Sequence, residues 1–188
     1  YLAATQQREG HWPQNFYPEG TPYWKGIQVD EAGFPLLLAG KLSELDQMNG
    51  LVGIAEMVSR AAGFLVRQGP VTPQDRWEEN PGLSPFTLAV QIAALAAAAE
   101  FLDDPAERAF AASVADYLNE RLEHWTYVEQ TELAQRHGVA GHYVRINPAS
   151  VLMGQAEPIM IANAYGKTYP PEEIVSLEFL CLARLGLR

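Results

Sequence analysis

The stretch "QDRWEENPGLSPFTLAVQ", residues 74–91, sets three carboxylates, Asp75, Glu78 and Glu79, around the indole of Trp77. A pyranose offers an apolar ring face and an edge of hydroxyls, so an indole flanked by carboxylates is a surface on which a sugar can stack and hydrogen-bond. Carboxylates crowded in this way also disfavour one another's ionisation. That is the condition a general acid for glycosidic cleavage requires near neutral pH. The plainer reading of the same acids is solvated loop charge, or first-turn acids serving the helix that begins near Ser84.

A second cluster lies earlier, in "FYPEGTPYWKGIQVDE". Phe16, Tyr17, Tyr23 and Trp24 are followed at once by Gln28 and Asp30, so stacking groups and hydrogen-bonding groups arrive together. Taken alone, these aromatics could equally plug one end of a helical domain. Both clusters precede apolar helices, which places them at comparable loops.

Other chemistries find little support. His11, His124, His137 and His142 form no pair at a helical metal spacing and have no accompanying acid cluster, so no metal site is expected. There is no glycine-rich phosphate loop and no nucleophile elbow, and no cofactor is expected. The lone cysteine, Cys181, lies in the apolar run "IVSLEFLCLARLG" and reads as a small buried hydrophobe. A formal net charge of −10 argues against a nucleic-acid partner, which would call for clustered Lys and Arg. The longest apolar segment, "LAVQIAALAAAAEFL", is interrupted by Gln91 and closed by Glu100, too short and Ala-rich for a membrane span. Compartment stays open between secreted and cytoplasmic.

The elements that must position these loops are helical. The chain has 188 residues and is 48% hydrophobic, enough for a substantial core in one domain. Its opening, "YLAATQQREG", reads as the last turns of a helix stopped at Gly10, and "HWPQNFYPEGTPYWKG" reads as a loop. Ile27, Glu31, Phe34, Leu38 and Leu42 recur at steps of three and four, which predicts a helix with Pro35 inside it. Leu51, Ile54, Val58, Ala61, Ala62 and Leu65 predict an amphipathic helix ending at Gly69 and Pro70. Ser84 and Pro85 open a helix to Leu102 that is apolar almost all round and should be buried on every side. Asp103-Asp104-Pro105 starts the next, with a stripe of Phe110, Val114, Tyr117, Leu118, Arg121, Leu122 and Trp125. Between Tyr127 and Pro148 the period shifts to two, predicting a short hairpin or extended excursion, and Glu172 opens a last helix. Buried and surface helices alternate, the pattern of helical hairpins stacked in a circle. Both ends read as though cut from a longer chain, so residues 1–188 are expected to be a single, incomplete all-α domain, part of an (α/α)6 barrel.

At the two loops the sequence resembles glycoside hydrolase family 15, the glucoamylases, glucodextranases and related bacterial enzymes. The matching stretches are "EGTPYWKGIQVDEAGFPLLLAGKL" and "DRWEENPGLSPFTLAVQIAAL", and the tail "GKTYPPEEIVSLEFLCLARLGLR" is similar to a later segment of bacterial members. The resemblance implies an (α/α)6 barrel that releases glucose from the non-reducing ends of α-glucans with inversion. It implies Glu78 as the general acid, Glu79 on substrate hydroxyls, Asp75 and Trp77 as support for the same pocket, Trp24 as the aromatic that braces the acid region, and Gln28 as a polar contact. The family's general base, a second Glu in a late loop, has no counterpart here, nor has its early Arg-Asp substrate pair. The remainder of the barrel is therefore an expected partner. A non-catalytic fragment that binds sugar weakly and a helical-hairpin scaffold for protein partners are the alternatives.

Overall fold

The computed structural model describes residues 1–24, 26–155 and 157–178. The chain divides into two compact units, Tyr1–Gly69 with Val90–Tyr117, and Pro70–Ala89 with Leu118–Arg188.

The first unit opens with one helical turn, α1 (Leu2–Thr5), and a two-strand ladder, β1 (Asn15–Phe16) against β2 (Pro22–Trp24), with Tyr17 edge-on to Tyr23 at 5.4 Å. Sequence reading makes this region a loop; strands of two and three residues are too short for a period to show. Then come α2 (Val29–Glu44) and α3 (Ile54–Gln68), which pack on each other. The unit is completed by residues from Val90 onward of α4 (Pro85–Ala98) and by α5 (Pro105–Thr126) as far as Tyr117. Asp104 accepts the Ala106 amide at 2.8 Å, the side-chain cap that starts α5. A Cβ on Gly33 would sit 2.6 Å from Val90 Cγ1, so α2 and α4 meet at a point where only glycine leaves room.

Helix α2 buries another face than its spacing suggests, and α5 buries only part of its expected stripe. On α2 the core face is Val29, Ala32, Leu36 and Ala39, while Phe34 and Leu38 are exposed. On α5 it is Ala111, Ala115, Leu118, Leu122 and Trp125, and Phe110 and Tyr117 are exposed. Each helix is apolar on more than one side, and period alone does not choose between them. The apolar helix α4 is buried over most of its surface, apart from Ala96 and, in part, Ala93 and Ala97. Its one interior side-chain amide ties α4 to the end of α3: Gln91 Nε2 donates to Leu65 O at 2.7 Å, which also accepts the Gly69 amide, and to Gly69 O at 3.0 Å.

In the second unit α4 begins with the Thr87 amide donating to Ser84 Oγ at 3.3 Å. α5 ends at Thr126 and runs into β3 (Tyr127–Glu129), α6 (Glu132–His137) and β4 (Gly141–Tyr143), with β3 and β4 antiparallel. This is the expected excursion, with a helical turn at its tip. A second hairpin, β5 (Ile159–Ile161) against β6 (Lys167–Tyr169), follows within the Pro- and Gly-rich stretch. Gly82 lies at φ 153°, and a Cβ there would meet Asn147 O at 2.3 Å, because Leu83 and Asn147 exchange backbone hydrogen bonds at 2.7 and 2.9 Å.

The helix expected from Glu172 does not form over the described residues. Pro171–Glu173 is a single 3-10 turn, and the Arg145 and Ser176 amides then bond to Ile174 O and Tyr143 O, each at 2.8 Å. Edge pairing beside β4 satisfies these backbone groups and overrides the local helical signal. The rest of that predicted helix, including Cys181, lies outside the described residues. Among the described residues no helix is long and apolar enough to cross a membrane.

A candidate active site on the acidic loop

The acidic loop belongs to the second unit. Thr72 and Gly82 pinch its base with two backbone hydrogen bonds of 2.9 Å, and the Asp75 amide donates to Asn80 O at 2.7 Å across it. Asp75 organises the interior. Its side chain is 2% exposed, and Oδ1 accepts the amides of Glu79 at 2.9 Å, Trp77 at 3.2 Å and, more loosely, Asn80 at 3.4 Å. Such an Asx cluster lets a short loop satisfy its own backbone donors. Within it, the Glu78 amide donates to Asp75 O at 2.8 Å, and Glu78 takes φ 61°, the left-handed conformation that costs a non-glycine residue about 1 kcal/mol.

The outer oxygen of Asp75 meets a cation. Arg145 reaches Asp75 Oδ2 from Nε at 3.1 Å and from Nη2 at 2.7 Å, and the same Nη2 pairs with Glu79 Oε2. All three side chains are nearly sealed, with exposures of 11% for Arg145, 2% for Asp75 and 9% for Glu79. Two of the crowded carboxylates therefore share a guanidinium rather than facing one another. The other oxygen of Glu79 accepts the Ala162 amide at 2.9 Å. Asn80 pairs with the Met160 backbone through both ends of its amide, at 2.8 and 2.9 Å, which ties the loop to β5. Trp77 is half-exposed; its Nε1 donates to Glu178 Oε1 at 3.1 Å, and Arg145 lies 5.7 Å from its ring centroid.

Glu78 differs from its neighbours. Its side chain is exposed, and among the described residues it enters no side-chain hydrogen bond or ion pair. The structure thus gathers Asp75, Trp77, Glu78 and Glu79 on one braced loop, with only Glu78 presenting an uncommitted carboxyl group. Trp24 and Gln28 belong to the first unit: Trp24 is half-exposed at the end of β2, and Gln28 is buried as the residue before α2.

Three residues that hold this loop are absent from the sequence-based set: Arg145, Asn80 and Glu178. Arg145 carried a usable signal. In "HYVRINP" the apolar Val144 and Ile146 alternate with Arg145 and Asn147, and both apolar residues are fully buried, so Arg145 points to the opposite side of an extended segment. Its partners, 66 and 70 residues away, are not legible from that alternation. Among the described residues no group of three or more His, Cys, Asp or Glu is disposed to hold a metal ion.

A glucoamylase of Clostridium sp. (strain G0005) is 35% identical over 196 aligned positions, covering 100% of this chain and 26% of the relative. A solved bacterial glucoamylase, crystallised in complex with acarbose, superposes with a TM-score of 0.79 at 34% identity, covering 100% of this chain and 27% of that one. The chain therefore spans about a quarter of the length of these relatives, and its fold is part of an (α/α)6 barrel. The family model for glycosyl hydrolases family 15 matches residues 6–158, and the chain belongs to that family.

Proposed function

We propose that these residues supply the general acid and part of the glucose pocket of an exo-acting α-glucosidase, which cleaves glucose from the non-reducing ends of α-glucans with inversion. One observation carries the reading: among the described residues Glu78 offers a free carboxyl group, on a loop whose other two acids are paired with Arg145. A general acid must reach the glycosidic oxygen, and a carboxylate locked to a guanidinium cannot do so. Family membership and the acarbose complex of the bacterial glucoamylase support a carbohydrate ligand.

In this mechanism the Glu78 proton passes to the glycosidic oxygen as the bond to the anomeric carbon breaks, and the leaving chain departs as an alcohol. A water attacks the opposite face of the anomeric carbon and loses its proton to a second carboxylate. Inversion needs roughly 6.5–9.5 Å between the two carboxyl groups. That base comes from the remainder of the protein, with which residues 1–188 form one catalytic domain. Glu79, braced from behind by Arg145, binds a substrate hydroxyl, and Trp77 contributes apolar surface to the pocket. Asp75 acts through the loop backbone rather than on the sugar.

Glu78→Gln in the full-length protein tests the acid. The expected result is a fall in kcat on maltose of about a hundred- to ten-thousandfold with KM changed only a few-fold. Polarimetry of the unmutated protein should show β-glucose as the first product. Near-normal kcat in the variant would remove Glu78 from the mechanism.

A further inference from the structure

We propose that Arg145 is the positioning residue of the general acid, acting through Asp75 on the backbone that carries Glu78. The inference rests on the reading of Glu78 given above. Arg145 makes no hydrogen bond or ion pair with Glu78; its guanidinium holds Asp75 Oδ2, and Asp75 Oδ1 in turn holds the amides of Trp77 and Glu79, the residues on either side of Glu78. The same Nη2 that bonds Asp75 also fixes Glu79 by its side chain. Glu78 is thereby clamped from both directions in a left-handed conformation that an unbraced glutamate would leave.

The clamp is anchored at its other end. The Arg145 amide donates to Ile174 O at 2.8 Å, the Val144 amide to Thr126 O at 2.8 Å and the Asn147 amide to Leu83 O at 2.9 Å. Arg145 therefore projects from backbone that is paired on both sides. Its planar fork engages two carboxylates at once, a task a lysine ammonium cannot reproduce with the same geometry.

The test exploits the leaving group. A glucoside needs a proton on its departing oxygen, whereas fluoride departs with little acid assistance, so misplacing the acid harms the first far more than the second. We would measure kcat/KM on maltose and on α-glucosyl fluoride for the full-length protein and its Glu78→Gln, Arg145→Lys and Asp75→Asn variants, below each variant's melting transition. The expected outcome is that Arg145→Lys loses roughly ten- to hundredfold more on maltose than on the fluoride, in the direction set by Glu78→Gln. Asp75→Asn should shift the same ratio by a smaller factor, and it serves alone if Arg145→Lys does not fold. Equal losses on both substrates would reduce Arg145 to a scaffold residue and overturn the proposal while leaving the acid reading intact. If Glu78→Gln itself loses both substrates equally, the acid reading fails and the proposal falls with it.

Discussion

Removing the guanidinium of Arg145 without removing its partners takes away the cation that two buried carboxylates of the acidic loop share. In Arg145→Met, the carboxylates of Asp75 and Glu79 would remain within the fold, 2% and 9% exposed, with no cation between them. Stripping one partner from a buried ionic cluster costs about 3–5 kcal/mol, since the remaining charge stays desolvated and unpaired. With a urea slope of about 2 kcal/mol/M, the unfolding midpoint would drop by about 2 M. Trp77, beside Arg145, makes fluorescence a direct reporter of the transition. The same Arg145→Met change introduced with Asp75→Asn and Glu79→Gln should cost less than half as much, because no uncompensated charge is left behind. A midpoint shift below about 0.5 M in the single variant, or an undiminished cost in the neutralised background, would refute the view that the three groups form one buried ionic unit.

Two further changes probe the frame around the site. Gly82→Ala would drive a methyl group to 2.3 Å from Asn147 O at φ 153°, so a loss of at least about 2 kcal/mol is expected, with faster hydrogen exchange at the Leu83 and Asn147 amides as the check. His11 stacks on Phe64 at 4.9 Å, and burial lowers its pKa below the usual 6.5, with Glu9 opposing the shift. The folded state therefore binds that proton less readily than the unfolded chain. Stability from this group is complete above about pH 6.5 and declines as pH falls toward the depressed folded value. His11→Gln should flatten that part of a melting-temperature profile between about pH 7 and pH 5.

Local chemistry made much of this protein legible. Ser84 and Pro85 start α4, and alternation in "HYVRINP" marks an extended segment. The pairing of an indole with acids at Asp75, Trp77, Glu78 and Glu79 is likewise a property of adjacent residues. These features depend on side chains meeting their own neighbouring backbone, and a linear reading contains them.

Partner choice over distance belonged to the tertiary structure alone. Helices α2 and α5 are apolar on more than one side, so packing decided that Leu36 and Ala111 are buried while Phe34 and Phe110 are not. Residues 172–178 carry a helical signal but pair beside β4, because backbone donors near a waiting edge are satisfied there. The pairing of each acid was decided in the same way. Three carboxylates within five residues are equivalent in sequence, and a guanidinium arriving from Arg145 commits two of them and leaves Glu78 free among the described residues. Electrostatic pairing acts through space, so the difference between Glu78 and its paired neighbours appears only once the chain has folded.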